Sequence, residues 1–416
     1  MTTAPRNPIA TEDQRVTELR ALELAAHPEL VQTKAEVREW WLSANDPSPD
    51  MRTCFEWAFE EVMFAALVWS LNQDPLFPRV VAITRLAHRL AGRDVPGSRW
   101  GLDNPDSVYR VIPISGAERY EIRGRVAERR LAENYFTLWD ANMNTVDVLD
   151  GKRLVVDADG RFTIAVDSDP ANGRPNHIRS SPAAHEFYIR DVLLDWERDR
   201  ANELAIVRLG PPPPRPPETE AQQLERAVAY MWKWVKSSDR WNAQSSDKPI
   251  NKLEFVIDRQ SDGALRNQVY ILGRFQLAER EALVVNVGLG GAEYFICPVT
   301  NVWGTTNDVV HGTGSLNKAQ SVANRDGTYT YVVSVEDPGV HNWVDTSGTR
   351  EGILTLRWAE FPGGRPGAGL RADSRLVRLD QLRAHLPPET RFVTAGERAE
   401  QLARRAASYA WRLLES

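Results

Sequence analysis

Asp159-Gly-Arg-Phe-Thr-Ile-Ala-Val166 and Asp326-Gly-Thr-Tyr-Thr-Tyr-Val-Val333 read as one piece of structure written twice. Each opens on Asp-Gly, a pair that favours tight hairpin turns because glycine accepts positive φ. Each continues as an alternating strand, with Phe162, Ile164 and Val166 on one face of the first copy. The likeness extends downstream. Asp169-Pro170 answers Asp337-Pro338, Asn176 answers Asn342, and Arg190 answers Arg357. From the turn glycine to that arginine is 30 residues in both copies (190 − 160 and 357 − 327). Upstream, Tyr120-Glu-Ile-Arg-Gly-Arg125 looks like Tyr270-Ile-Leu-Gly-Arg274. Two related β-sandwich units follow from this, each with its own inward-facing strand positions.

The flanks are helical. Residues 11–45 show apolar positions at helical spacing, broken at Pro28. A second helix is expected from Asp50 to Gln73, and a third from Pro78 to Leu90. Ile112 and Ile114 around Pro113 mark an edge strand or a strand end. The run Gly210-Pro-Pro-Pro-Pro-Arg-Pro-Pro217 reads as a stiff extended spacer, with a helix after it from Glu218 to Trp241. Thr394 and Glu397 have capping-box spacing at the start of the last helix. The expected fold class is α+β: an N-terminal helical segment, two jelly-roll-like antiparallel β-sandwich units and a C-terminal helix. The expected boundaries are 1–95 (helical), 96–209 (first sandwich), 210–251 (proline-rich linker and helix), 252–375 (second sandwich) and 376–416 (helical tail).

Composition narrows the chemistry. With 416 residues the chain suits two or three domains. Its 42% apolar and 26% charged content fits a globular protein, not a disordered one. Two cysteines, Cys54 and Cys297, supply neither a disulfide framework nor a Cys-rich zinc site. A net charge of −6 with no basic block argues against nucleic acid. Val62–Leu71, the most apolar stretch, is half of what a membrane crossing needs, and it reads as a buried helix. The N-terminus carries no signal-peptide pattern, so the expected location is cytoplasmic. The Walker A, Gly-x-Ser-x-Gly and Gly-x-Gly-x-x-Gly motifs are absent, and no histidines stand at metal-ligand spacing. No metal and no cofactor are expected.

The densest group of chemistry-bearing residues is Asp337-Pro-Gly-Val-His-Asn-Trp-Val-Asp345. Asp337-Pro-Gly339 should turn tightly. His341 is the candidate general base, with Asp337 or Asp345 to orient it and stabilise its cation. Asn342 and Trp343 are candidate pocket residues. Asn104-Pro-Asp106 leads into Tyr109 and Arg110, read as a proton donor and an anion binder at a cleft between the sandwiches. The loop from Asn301 holds Trp303, His311 and Asn317, with Gly312-Thr-Gly-Ser315 as a flexible stretch. Arg357 ends an alternating strand and, if buried, calls for a carboxylate partner such as Asp337 or Asp345. Each segment has a plainer reading too: turn formation, core filling, or a structural ion pair.

Three segments carry a family resemblance: Gly101-Leu-Asp-Asn-Pro-Asp-Ser-Val-Tyr-Arg110, Ser315-Leu-Asn-Lys-Ala-Gln320 with Asp326-Gly327, and Asp337 to Thr346 closing with Leu356-Arg-Trp358. They resemble the DUF1214 family of uncharacterised bacterial proteins, which often travels with the companion domain DUF1254. The resemblance spans about residues 100 to 361 and implies a pair of jelly-roll sandwiches. It implies no reaction.

The leading functional expectation is a cofactor-independent enzyme, a hydrolase or lyase working by acid–base chemistry on a hydrophobic or hydroxylated small molecule. A non-catalytic carbohydrate- or lipid-binding protein is the alternative, and a structural or assembly protein a third. The expected partners are a small-molecule ligand and a second copy of the chain, with no nucleic acid and no membrane.

Overall fold

The computed structural model describes residues 7–256 and 268–413. Pro28 does separate two helices. α1 (Glu12–Ala25) ends, His27 takes the N-cap position, and α2 (Pro28–Asn45) begins on the proline. Proline suits that first turn because its missing N–H would have had no partner. α3 (Pro49–Ser70) is capped by Ser48, whose hydroxyl accepts from Met51 N. Ten consecutive residues of α3, Glu61 to Ser70, are buried, so the apolar stretch is a core helix wrapped by neighbours. No helix among the described residues is long and apolar enough to cross a membrane.

The helix expected over 78–90 is absent. β1 (Val81–Ile83) and β2 (His88–Leu90) stand there, and β2 forms a hairpin with β3 (Arg93–Val95). The cause is tertiary. β1 pairs with β4 (Ser107–Pro113), and Val81 and Ile83 join the core beneath the helices. Pro113 is the end of β4, an interior strand, so its missing N–H costs the sheet nothing there.

The duplication is visible strand by strand. The first sandwich continues with β5 (Arg119–Arg125), β6 (Glu133–Asp140), β7 (Thr145–Asp150), β8 (Arg161–Asp167), β9 (His177–Arg179), β10 (Ala184–Val192) and β11 (Glu203–Leu209). The second comprises β12 (Phe255–Val256), β13 (Gln268–Gln276), β14 (Glu281–Leu289), β15 (Tyr294–Thr300), β16 (Ser315–Asn317), β17 (Tyr329–Ser334), β18 (Trp343–Asp345), β19 (Glu351–Ala359) and β20 (Leu370–Arg378). The five-stranded sheets run β1-β4-β10-β6-β7 and β12-β13-β19-β15-β16. The four-stranded sheets run β11-β5-β8-β9 and β18-β17-β14-β20, the same order read from opposite ends. Both four-stranded sheets are mixed: β8 with β9, and β17 with β18, pair in parallel.

Two sequence readings need correcting. β5 corresponds to β14, so the likeness of Tyr120–Arg125 to Tyr270–Arg274 joins strands that are not equivalent. The Asp-Gly pairs are tight turns, with Gly160 N bonded to Asp157 O and Gly327 N to Asn324 O. Yet the strands they feed, β8 and β17, pair with β5 and β14 across the sheet, so neither turn closes a hairpin of neighbouring strands.

Unit boundaries shift as well. The first sandwich starts with β1, before residue 96, and the second ends with β20 at Arg378. The helix after the proline run, α4 (Glu220–Ser246), is no spacer. It packs on α2 and α3 and buries Leu224, Ala227, Met231, Trp234 and Val235 in their core. Within the proline run, Arg215 grips Asp74 through two bonds of 2.9 and 2.8 Å. α5 (Ala395–Tyr409), with the Thr394–Glu397 capping box formed, runs into a last 3-10 turn at Ala410–Leu413.

Each sandwich has its own apolar core. Ile112, Ile122, Phe136, Ile164, Phe187 and Ile189 fill the first, and Phe275, Leu283, Phe295, Tyr331, Leu356 and Trp358 the second. The outer faces of the five-stranded sheets are also covered. Tyr109 and Val111 lie under the helices, while Val192, Tyr294, Ile296 and Ala359 form a cluster joining the two sandwiches. All nine residues of β19 are therefore buried, and the seam between the sandwiches is an interior surface.

Candidate functional site

His341 stands on the loop between β17 and β18, and three features fix that loop. Asp337 Oδ1 accepts from Gly339 N at 2.9 Å, closing the expected turn, in which Gly339 adopts φ +71°. A short antiparallel ladder ties the loop to the segment entering α5: Val393 N bonds to Gly339 O at 2.8 Å and His341 N to Arg391 O at 2.9 Å. Arg398 of α5 then clamps the loop from above. It holds Asp337 through two bonds of 2.9 and 3.1 Å, donates to Val340 O, and lies 5.2 Å over the ring of Trp343.

Asp337 is thus spent on Arg398 and makes no hydrogen bond to His341. Asp345 accepts from Ser347 N at 2.8 Å, and burial raises its carboxyl above the ordinary range. Neither carboxylate orients the histidine. The group that does is Asn342, with Oδ1 lying 3.1 Å from His341 Nδ1.

The direction of that bond can be worked out. Asn342 Nδ2 donates to Val322 O at 2.8 Å and to Thr330 O at 3.1 Å, while Oδ1 accepts from Val322 N at 2.8 Å. Backbone partners on both sides fix the amide, so its oxygen faces the imidazole. An oxygen accepts, so Nδ1 carries the proton and Nε2 keeps its lone pair. Desolvation, and then the positive charges of Arg391 and Arg398, lower the pKa of His341 against the pull of Asn342. The ring is therefore neutral at pH 7, with a basic nitrogen opposite the one it gives to Asn342.

His341 lines a cleft of about 600 Å³ beside α5. Trp196, Gln320, Ser321, Gln401 and Arg405 are among the other walls. Arg405 is anchored by Gln320 Oε1 at 2.9 Å and Ser315 Oγ at 2.8 Å, and its guanidinium covers Trp196 at 4.4 Å. The cleft mixes both charges, with Arg391 and Arg404 set among Glu397 and Glu400.

The remaining expected site residues fall elsewhere. Trp343 is buried, with Nε1 bonded to Ser334 O at 3.1 Å, and does not line the cleft. Trp303 fills the helical core, 5.1 Å from Trp41 and 4.7 Å from Phe55. His311 is exposed and outside the cleft lining. Arg110 points into the sheet interior, paired with Asp191 and Asn202 O. Tyr109 lies on the opposite face of β4, under the helices and beside Arg357. Asn317 donates to Asp106 at 3.0 Å and to Leu194 O at 3.0 Å. Asp106 is fully buried and also accepts from Tyr294 Oη and Trp196 Nε1, each at 2.8 Å. Every donor there is matched, so these four residues read as a polar rivet between the sandwiches. Burial lifts the Asp106 carboxyl to about 6. Arg357 has neither Asp337 nor Asp345 as partner. It donates to Leu102 O and sits against Tyr109 and Tyr270.

The first copy holds a His–Asp contact that the second lacks. His177 Nε2 lies 3.0 Å from Asp167 Oδ1, but Arg174 grips the same carboxylate at 2.9 and 3.0 Å, which keeps it well below the usual carboxylate range. Among the described residues no group of three or more His, Cys, Asp or Glu is placed to hold a metal ion.

Sequence reading missed Arg398, Gln320, Arg405 and Trp196. Their contributions cross more than 80 positions or come from a helix read only as a tail. The capping box at Thr394 was the one available sign that α5 starts at a defined point.

A scan of protein-family models returns no match, and a search of curated proteins returns none. Among solved structures, an uncharacterised protein from Burkholderia cenocepacia is similar over 87% of this chain and 99% of its own, at 25% identity and a TM-score of 0.73. The VPA0106 protein from Vibrio parahaemolyticus aligns over 67% of this chain and 90% of its own, at 10% identity and a TM-score of 0.45. The first supports the whole architecture, helices and paired sandwiches together.

Proposed function

We propose that the protein is an acid–base enzyme acting on a small hydroxylated molecule in the cleft beside α5, with His341 as its general base. The observation that carries this reading is the orientation of Asn342, which leaves Nε2 of a neutral, half-buried imidazole as a proton acceptor. A base of this kind takes a proton from a water or from the substrate and returns it to a leaving group, which is hydrolysis or elimination. Asn342 acts as a positioning residue. Gln320, whose Oε1 is held by Arg405, lines the same cleft and has its Nε2 to offer a ligand hydroxyl.

The reading modifies the expected Asp–His pair into an Asn–His pair and calls on no cofactor. The sugar-binding alternative loses its main support, because Trp343 is out of the cleft and Trp196 is covered by Arg405. The resemblance to DUF1214 does not bear on the choice.

The test is turnover of a panel of esters, lactones and glycosides by the native protein and by His341→Ala in parallel. Product formed by the native protein and reduced at least a hundredfold in the variant supports the proposal. Equal rates in the two would sink it.

A further inference from the structure

A second cleft, of about 400 Å³, opens at the first sandwich. One lip is the connection from β5 to β6, residues 126–131, and the other is the segment after β7, residues 151–156. Its volume is that of a small-molecule site, for which about 300–1,000 Å³ is usual. Val126, Leu131, Leu154 and Val156 give it apolar walls. Asn134 and Asn202, the most deeply buried of its lining at 4% and 3% exposure, give it a polar inner end.

The second sandwich shows the same end of the fold when it is closed. The two five-stranded sheets match by register: Arg190 pairs with Tyr109 in one, and Arg357 with Tyr270 in the other. One residue further along the central strands, Asp191 answers Trp358. Their partners across the sheet, Asn134 and Phe295, answer each other. Arg110 likewise answers Ile271. In the second sandwich these positions are apolar, and Ile271, Phe295 and Trp358 fill the core there. In the first they form a buried Arg110–Asp191–Asn134 network, which Asn202 joins by donating its backbone N–H to Asp191 Oδ2 at 2.7 Å. The connections differ as well. Seven residues, 126–132, join β5 to β6, while four, 290–293, join β14 to β15. Six of those seven line the cleft. Replacing apolar core by buried polar groups costs stability, and a longer connection costs closure entropy. Both changes fall where the first sandwich opens.

The polar groups that face the cleft are mainly donors. Asn134 spends its amide N–H groups on Arg190 O and Asp191. Asn202 accepts from Ala127 N on Oδ1 at 2.8 Å and donates from Nδ2 to Asn134 Oδ1 at 3.3 Å, which leaves a second amide hydrogen to give. Arg129 and Lys152 are held by carboxylates, Asp195 and Asp199 for the first and Glu360 for the second. Arg130 is exposed and reaches across to Lys152 O on the opposite lip, so its guanidinium stands at the mouth.

We infer that this cleft is a second binding site, for an aliphatic hydroxy acid. Its carboxylate lies on Arg130, its hydrocarbon chain runs between the four apolar walls, and its hydroxyl oxygen accepts from Asn202. A guanidinium matches a carboxylate in geometry, and buried chain carbons supply the hydrophobic part of the affinity. The cleft shares no lining residue with the one at His341, so the inference stands whether or not His341 is a base.

The experiment is saturation-transfer NMR on the full chain with 6-hydroxyhexanoate and 8-hydroxyoctanoate as probes, and octanoate and 1-octanol for comparison. Saturating the native protein should attenuate the chain protons of at least one probe. Octanoate and 1-octanol each lack one of the two polar groups and should bind about fivefold more weakly, the worth of one hydrogen bond. Arg130→Met should weaken the probe about tenfold through loss of a charged hydrogen bond. Val156→Asp sets a carboxylate on an apolar wall, at a position 41% exposed, and should abolish binding. Arg130 and Val156 are both exposed, so both variants should keep the native melting curve. His341→Ala should bind the probe as the native protein does. No saturation transfer to either probe would overturn the inference, as would unchanged binding in both Arg130→Met and Val156→Asp. Equal binding of octanoate, 1-octanol and the hydroxy acids would reduce the cleft to an unselective apolar surface and overturn it too. Loss of binding in His341→Ala would place the probe in the other cleft, with the same consequence.

Discussion

Asn342 turns its side-chain oxygen to Nδ1 of His341 while both ends of its amide hold Val322. In the other sandwich Asn176 makes the same two bonds to Val155, at 2.9 and 2.7 Å. The residue before it there is Pro175, where the second copy has His341. Both copies therefore use the asparagine to hold the segment ahead of a parallel strand pair, and only the second places an imidazole on it.

That pairing gives a matched set of variants. Asn176→Ala and Asn342→Ala each lose a similar set of backbone bonds and should each cost about 1–3 kcal/mol in urea unfolding. Only Asn342→Ala should lower turnover on any substrate the native protein converts. A loss of turnover in both, in proportion to stability, would mean that Asn342 has no positioning role.

Arg398 should matter to the loop more than its sequence position suggests. Its guanidinium holds Asp337, a backbone carbonyl and the face of Trp343 together. Arg398→Ala should destabilise the protein by about 2–3 kcal/mol and speed amide exchange at His341 and Val393, whose N–H groups bond across to the other segment. Unchanged exchange at both amides would show that the clamp is not what fixes the loop.

Asp106 sets a pH dependence whose sign follows from its surroundings. Burial raises its carboxyl to about 6, above the value near 3.9 of an unfolded chain. Between those values the folded protein holds a proton that the unfolded chain has released. Its contribution is thus complete below about pH 4 and is lost as pH rises through 6. Asp106→Asn removes that term. The stability difference between native protein and variant, from urea unfolding at pH 5 and pH 7, should favour the native protein more at pH 5. A difference that grows toward pH 7 would contradict the raised value.

The sequence made the duplication legible because its markers are local. Asp-Gly turns, the Asp-Pro pair, the asparagine and the arginine all fall at equivalent positions of the two sandwiches. It misled where tertiary pairing overrode local pattern: Val81–Ile83 became a strand by joining β4, and α4 became part of the helical core. The candidate site was legible in His341 and Asn342, though Asn342 was read as a pocket residue and not as the group that orients the imidazole. Asp337 looked like the orienting carboxylate because it was near in sequence, but Arg398, 61 positions away, claims it. Arg357 looked like half of a structural ion pair, and no carboxylate among the described residues meets it.

The central claim is the protonation state of His341, and ¹⁵N-detected NMR of the imidazole reads it directly, with His341→Gln assigning the signals among the seven histidines. At pH 7.5 the account predicts a protonated Nδ1, a bare Nε2, and a titration midpoint below the ordinary value near 6.5. A proton on Nε2, or a midpoint above 6.5, would contradict it.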